Sequence, residues 1–289
     1  MTEPQKHTIK RRPFRGWKLL KIIIVVYCSA GIALYYLQEK LMFHPIPLPP
    51  GYQFKFNIPF KEANIPLNAK DNLNIVQFFT GDSVPKGVVL YFHGNRENVT
   101  RYARYAVNFT RHGYDIWITD YPGYGKTTGT LTEENLYMQA KEVYKLARTK
   151  FGKDSIIVYG KSLGSGVASY LASKEPCRRL ILETPYYSMP DLFSSYVPFY
   201  PTNAMSHFKL PTGEYLKEIN IPVTIFHGNA DWIIPYRCAA KLKQFLKPGD
   251  EFITIDKGSH NDLNDFSLFH EKLDSILSLQ NHFTLKATK

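Results

Sequence analysis

The chain has 289 residues, 44% of them hydrophobic, and a formal net charge of +11. About 230 residues remain beyond residue 58, enough for one α/β domain whose core needs no disulfide or metal staple. The sequence has no zinc-ligand spacing, phosphate-binding glycine loop, heptad or internal repeat, which excludes the classes of protein built on them. Cys28, Cys177 and Cys238 are expected to be free thiols, although Cys177 and Cys238 could pair in an oxidising compartment.

The N-terminus combines a basic tail with an apolar run. The first 21 residues carry +6 of the net charge, and an uncharged run follows over 22–37. With Leu19 and Leu20 it approaches the ~20 residues that cross a bilayer. We predict a basic cytoplasmic tail over 1–18 and a single-pass transmembrane anchor over 19–38, because a positive flank stays in the cytoplasm. The rest of the chain then lies on the extracytoplasmic side, which is periplasmic, extracellular or lumenal.

Other interpretations of this segment are weaker. A signal peptide could be cleaved near Ala33, but the apolar run continues beyond that point. A bacterial lipoprotein site at Cys28 is disfavoured by the bulky Tyr27, and a buried soluble helix by the one-sided basic flank. Attraction to an anionic leaflet explains the tail, so no nucleic-acid partner is predicted.

The stretch MFHPIPLPPG at 42–51 is rich in proline, which no helix interior tolerates at this density. We predict a semi-rigid extended spacer over 39–58 that holds a single domain, 59–289, away from the bilayer.

Strand and helix patterns alternate along that domain. Residues 62–67 and 73–79 alternate apolar with polar side chains around a turn and predict an antiparallel hairpin. Predicted strands follow at 87–92, 114–119, 155–159, 179–183, 221–226 and 251–255, with helices near 97–111, 132–150 and 163–174. This alternation predicts an α/β fold with a mostly parallel sheet and helices on both faces.

The segment Gly160-Lys161-Ser162-Leu163-Gly164 has the pattern Gly-x-Ser-x-Gly between a predicted strand and a predicted helix. The glycines permit a tight turn that places the serine at the head of the helix, where free N–H groups and the helix dipole favour negative charge. A Gly/Ser loop without function has the same pattern. The serine therefore needs a base, an orienting acid and an oxyanion site from elsewhere in the chain.

Two downstream loops offer the acid and the base. Asp231 follows the strand at 221–226, and His260 follows the strand at 251–255. The order serine, acid, histidine is that of hydrolases with this turn, so Ser162, Asp231 and His260 are predicted as a catalytic triad. Glu183, at the end of a strand, is a rival acid with a poorer loop context.

The strand at 87–92 ends in His93-Gly94-Asn95. The loop after this strand and the residue after the nucleophile each give a backbone N–H to the oxyanion in such hydrolases, which predicts Asn95 and Leu163 as the donors. His93 precedes the serine and is predicted to support the loop rather than to act as the base.

Five motifs in this order resemble those of the Bem46/ABHD13-like serine hydrolases. They are HGNREN at 93–98, DYPGYG at 120–125, GKSLG at 160–164, HGNAD at 227–231 and GSH at 258–260. The resemblance implies an α/β-hydrolase fold, the Ser162–Asp231–His260 triad, a structural role for Asp120, and no metal or organic cofactor. Relatives often carry a small residue where this chain has Arg96. This cation could bias the protein toward anionic substrates or could be a solvated loop residue.

An aromatic and proline-rich segment, approximately 184–216, separates the strands at 179–183 and 221–226. An excursion of this length is usually functional or carries its own short helices. We predict a small lid over the serine, with Tyr186, Tyr187 and Phe193 lining an apolar pocket. Alternatively, these aromatic side chains simply cover the sheet edge.

These features predict a membrane-anchored serine hydrolase that cleaves ester or thioester bonds of a small or lipid-like acyl substrate through an acyl-enzyme. No protein partner is required by any of them. One alternative is a peptidase or amidase with the same triad, but capture of a peptide N-terminus needs an acidic pair, and the lid segment offers only Asp191 and Glu214. The other alternative is a non-catalytic binding protein with the same fold.

Overall fold

The computed structural model of the protein describes residues 15–278, and the chain divides into two compact units at Leu41 and Met42. The first unit contains helix α1 (Arg15–Met42), which from Gly16 onward is long and apolar enough, by length and composition, to cross a membrane. The basic residues predicted for the tail up to Arg12 lie outside the described residues.

The predicted anchor over 19–38 is thus helical, but the helix continues to Met42. Glu39, Lys40 and Leu41 all favour helix, and the first proline that would disfavour it is Pro45.

The second unit is built on a twisted, mostly parallel sheet. Its strands are β2 (Phe60–Pro66), β3 (Asn72–Phe78), β4 (Gly87–Phe92), β6 (Tyr114–Thr119), β7 (Ile156–Lys161), β8 (Arg179–Glu183), β9 (Val223–Gly228) and β10 (Glu251–Ile255), with β1 (His44–Pro45) and β5 (Arg96–Glu97) forming a separate parallel pair. The order across the main sheet is β10-β9-β8-β7-β4-β6-β3-β2. Only the predicted hairpin β2–β3 and its pairing with β6 are antiparallel among the described strands.

Helices cover both faces of this sheet, as predicted. They are α2 (Val99–Tyr102), α3 (Val107–Thr110), α4 (Glu133–Arg148), α5 (Leu163–Lys174), α6 (Met189–Ser194), α7 (Thr202–Met205), α8 (Thr212–Glu218), α9 (Tyr236–Ala240) and α10 (Ser267–Ser278). Alternate residues of β4 point to opposite faces. Val88 and Leu90 join the core under α4, α5 and α8, whereas Val89 and Tyr91 join the core under α2, α3 and α10.

The helix predicted near 97–111 is interrupted. It consists of α2, a 3₁₀ turn at Ala103–Tyr105, and α3. Valine, threonine and asparagine, which are weak helix formers, make up much of this segment.

The structure corrects the prediction of a spacer over 39–58. Residues from Met42 onward belong to the second unit, and the backbone of His44 and Pro45 pairs with Arg96 and Glu97. Phe43 is only 5% exposed. Proline does keep this segment extended, but an extended backbone with an apolar side chain can also dock along a loop, and it does so here.

Candidate active site

Ser162 lies in the sharp turn between β7 and α5. Its backbone has φ 52° and ψ −118°, an unusual conformation for a residue with a side chain, and its N–H donates to the Glu183 carbonyl at 2.8 Å. The flanking glycines are required by space, because a Cβ on Gly164 would lie 2.1 Å from the Phe92 carbonyl oxygen and one on Gly160 would lie 2.5 Å from the Gly164 carbonyl oxygen. The sequence pattern therefore folds into a strained strand-to-helix turn with the serine at its tip.

The two loops predicted to carry the acid and the base bring both side chains to this serine. His260 Nε2 lies 2.9 Å from Ser162 Oγ, and His260 Nδ1 lies 2.8 Å from Asp231 Oδ2. The other carboxylate oxygen, Asp231 Oδ1, accepts the backbone N–H groups of Ile233 at 2.9 Å and Ile234 at 2.8 Å. Both oxygens are thus held in place, and the three side chains form one continuous chain of hydrogen bonds.

His227 lies beside this chain but outside it. Its Nε2 donates to the Ile234 carbonyl at 2.9 Å and lies 3.6 Å from Asp231 Oδ2. Burial lowers the pKa of His227, so the ring is neutral near pH 7 and does not compete with His260 for the aspartate charge.

His93 supports the loop that follows β4. The ring is fully buried, with Nε2 3.0 Å from Asp120 Oδ1, and it stacks on Tyr102 with the ring centroids 4.7 Å apart. The Tyr121 hydroxyl donates to the His93 carbonyl at 2.6 Å. These contacts agree with the supporting role predicted for His93. Asp120 supports the same loop, because it also accepts the Val99 N–H at 2.8 Å.

The two predicted oxyanion donors are Asn95 and Leu163. Leu163 is the first residue of α5, and Asn95 lines the same cleft as Ser162. The loop passes close to the serine, since a Cβ on Gly94 would lie 3.6 Å from Ser162 Cβ. Within residues 15–278 neither N–H has a protein acceptor, so both can serve a substrate.

A small cleft opens at this point of the surface. It is lined by Gly94, Asn95, Arg96, Arg101, Tyr102, Lys161, Ser162, Ile233, His260 and Asn261. Arg96, the cation predicted as a candidate for contact with substrate, is exposed and contributes to this cleft.

Tyr186, Tyr187 and Phe193 do not line this cleft, and their role as substrate-pocket residues stays a prediction. All three pack into or against the core on the α5 face of the sheet. The Tyr186 hydroxyl is buried and donates to the Leu163 carbonyl at 3.1 Å, while Tyr187 stacks on Phe245 with centroids 6.1 Å apart. The excursion between β8 and β9 does carry the short helices α6, α7 and α8.

A buried ion pair next to the serine was not predicted from the sequence. Lys161 and Glu183 are paired, with side chains 3% and 1% exposed, and they face each other in the β7–β8 register. The Tyr159 hydroxyl donates to Glu183 Oε2 at 2.5 Å, and burial followed by the Glu183 charge raises the pKa of Tyr159 well above its usual range. Glu183 is thus occupied by Lys161 and Tyr159, and it is Asp231 that contacts His260. A charged residue inside the Gly-x-Ser-x-Gly pattern was the available signal.

Comparisons with known proteins agree with this architecture. Residues 83–210 match the family model of the serine aminopeptidases S33, a hydrolase family. The alpha/beta hydrolase domain-containing protein 17C of Xenopus tropicalis is 28% identical over 193 residues, covering 66% of this chain and 61% of the relative, and its Mus musculus counterpart is 25% identical over 213 residues, covering 73% and 65%. The matched part of this chain therefore spans less than two thirds of these relatives.

Solved structures show the same fold. An esterase from Pyrococcus furiosus superposes with a TM-score of 0.62 at 16% identity, covering 82% of this chain and 96% of the esterase. A soluble variant of monoglyceride lipase from Saccharomyces cerevisiae superposes with a TM-score of 0.61 at 14% identity, covering 80% and 98%. The chain has the α/β-hydrolase fold, and the relatives support the α/β-hydrolase superfamily; the narrower resemblance to Bem46/ABHD13-like proteins stays a prediction.

Proposed function

We propose that this α/β-hydrolase-fold protein is a serine hydrolase that cleaves ester or thioester bonds through an acyl-enzyme. The observation that carries the proposal is the hydrogen-bonded chain from Ser162 Oγ through His260 to Asp231. A serine hydroxyl becomes a competent nucleophile when a positioned histidine accepts its proton and a carboxylate fixes the histidine tautomer.

The geometry supports a two-step mechanism. His260 Nε2 accepts the Ser162 proton as Oγ attacks the carbonyl carbon, and Asp231 stabilises the imidazolium that forms. The Asn95 and Leu163 N–H groups and the positive end of the α5 dipole hold the oxyanion. His260 then protonates the leaving oxygen or sulfur, and a water molecule deprotonated by His260 releases the acid and restores Ser162.

Peptide hydrolysis is the second candidate, because the matched family model is described as a serine aminopeptidase. An aminopeptidase must bind a substrate ammonium. No carboxylate is among the described residues that line this cleft. Of its cations, Arg101 is paired with Glu97 and Lys161 with Glu183, which leaves Arg96. Asp191 and Glu214 are likewise paired, with Lys241 and Lys217. The cleft therefore favours an uncharged or anionic acyl substrate over a peptide N-terminus.

Exposed aromatic side chains in the excursion and directly before the cleft residue Ile233 suit a lipid-like acyl chain. Phe199 is 85% exposed and Trp232 is 73% exposed. The single proton of the Tyr196 hydroxyl is shared between the Trp232 carbonyl, at 2.9 Å, and the carbonyl of Ile233, which lines the cleft. Because exposed apolar patches mark binding surfaces, we propose that the aromatic excursion guides an acyl chain toward Ser162.

A substrate panel tests this proposal on the full chain in detergent. The panel contains esters, thioesters and anilides of the same acyl groups, graded in length. The protein should cleave the esters and thioesters and leave the anilides nearly intact. The kcat/KM for the esters and thioesters should rise with acyl length. Preferential cleavage of aminoacyl anilides would instead establish the peptidase.

The same panel tests Arg96, whose guanidinium is exposed at the cleft. If it binds an anionic group, Arg96→Gln should lower kcat/KM for a carboxylate-bearing ester by about 10-fold, a typical effect of losing one charged hydrogen bond, and leave the matched neutral ester unchanged. Equal effects on both esters would make Arg96 a solvated loop residue.

We further propose that α1 is a single-pass anchor with its basic flank in the cytoplasm and the hydrolase domain on the other side. The support is the apolar composition of α1 together with the positive charge that precedes it. Protease added to intact cells or spheroplasts should digest the hydrolase domain. A domain that is cut only after lysis contradicts this orientation.

A further inference from the structure

Residues 42–48, which we call the juxtamembrane segment, form hydrogen bonds with the loop that contains Asn95. The Asn95 side chain donates to the Met42 carbonyl at 2.6 Å, and the His44 N–H donates to the Asn95 carbonyl at 3.0 Å. Asn98 Nδ2 donates to the Ile46 carbonyl at 2.8 Å. The segment thus contacts both the backbone and the side chain of the residue proposed to bind the oxyanion.

A second set of contacts fixes the far end of the segment. The Gly125 N–H donates to the Ile46 carbonyl at 3.1 Å, and the Leu48 N–H donates to the Gly125 carbonyl at 2.7 Å. Gly125 follows β6 in the motif DYPGYG, and from the same motif the Tyr124 hydroxyl donates to the Asn95 carbonyl at 2.9 Å. The segment therefore ties two loops at the carboxyl edge of the sheet to each other.

Phe43 is the apolar anchor of the segment. It is 5% exposed and packs edge-on against Phe208, with the ring centroids 4.7 Å apart. Phe208 belongs to the excursion between β8 and β9, so this contact joins the segment to a second part of the domain. Ile46, three residues further on, is 49% exposed, so its side chain is not buried as that of Phe43 is.

The loop that contains Asn95 has an unfavourable backbone conformation, which its surroundings must hold in place. Glu97, two residues after Asn95, has φ 61°, a left-handed conformation that costs free energy in a non-glycine residue and persists only where its surroundings hold it. The Asn95 carbonyl accepts both the His44 N–H and the Tyr124 hydroxyl. These two donors restrict the orientation of the Asn95 carbonyl, and Asn95 itself lines the cleft.

We propose that the juxtamembrane segment is a positioning element of the active site, which holds the Asn95 N–H where the oxyanion develops. The inference rests on the proposed acyl-transfer function. The Met42 carbonyl, at the start of the segment, accepts the Asn95 side chain.

Phe43→Ala in the full chain tests this proposal, with Val107→Ala as a control, since Val107 is an apolar residue of α3 that is 48% exposed and lies outside the segment. A displaced oxyanion donor impairs only the transition state, so Phe43→Ala should lower kcat by roughly 10- to 100-fold, somewhat less than outright loss of a donor, with KM within about twofold. Inhibition by a trifluoromethyl ketone, whose adduct with serine carries an oxyanion, should weaken by the same factor. Val107→Ala should match the wild type.

Asn95→Ala provides a second test that removes no core side chain. It deletes the donor to Met42 and keeps the backbone N–H, and it should reproduce the loss in kcat and in ketone affinity even if Phe43→Ala unfolds. Wild-type kcat and ketone affinity in folded Phe43→Ala or in Asn95→Ala overturn the inference and leave the proposed function intact. A wild-type chain that cleaves none of the esters overturns the proposed function, and this inference with it.

Discussion

Ser162→Ala should abolish ester hydrolysis, with a loss in kcat on the order of 10⁶-fold, the size seen when a hydrolase loses its serine nucleophile. Alanine keeps the Cβ and the N–H that donates to the Glu183 carbonyl, so the turn and the melting temperature should change little. The measurement is the steady-state rate on the best ester of the panel together with the thermal unfolding curve.

Ser169→Ala is the matched control for this substitution. Ser169 lies in the same helix α5, is fully buried, and its hydroxyl has no hydrogen-bond partner among the described residues. Its removal should leave kcat and KM unchanged. A Ser162→Ala protein that keeps more than a trace of wild-type turnover would mean that another group is the nucleophile.

Asp231→Asn should lower kcat by about 10⁴-fold with the fold intact, because an amide stabilises the wrong histidine tautomer. The amide oxygen can still accept the Ile233 and Ile234 N–H groups, which would leave its NH₂ facing His260 Nδ1. His260 would then carry its proton on Nε2 and could not accept the one from Ser162.

Glu183→Gln separates the two candidate acids. It leaves Lys161 buried without its counter-ion, which typically costs about 3–5 kcal/mol of stability. Measured per folded molecule, its kcat should fall far less than that of Asp231→Asn. The opposite ranking, with near-normal turnover in Asp231→Asn, would transfer the role of the acid to Glu183.

The sequence predicted those parts of the molecule that depend on local pattern and chain order. The apolar runs that form β4 and β9 and the Gly-x-Ser-x-Gly turn are local signals, and the order of Ser162, Asp231 and His260 sufficed to anticipate that they meet. A mostly parallel sheet brings its carboxyl ends to one edge, which explains why residues 98 positions apart make a hydrogen bond.

What could not be predicted depends on register and on docking. Lys161 meets Glu183 because β7 and β8 pair in one particular register, which strand patterns do not specify when both faces are buried. Prolines at 45 and 47 indicate an extended backbone but not the loop on which it lies. The aromatic side chains of Tyr186 and Phe193 indicate an apolar environment, but the sequence does not distinguish the wall of a pocket from the core.

The most direct test of the central claim is the site of covalent modification by a fluorophosphonate in the full chain. We predict a single adduct, mapped by mass spectrometry to the peptide that contains Ser162, absent in Ser162→Ala and formed far more slowly in Asp231→Asn. An adduct on another residue, or no adduct on folded protein, would contradict the assignment of Ser162 as an activated nucleophile.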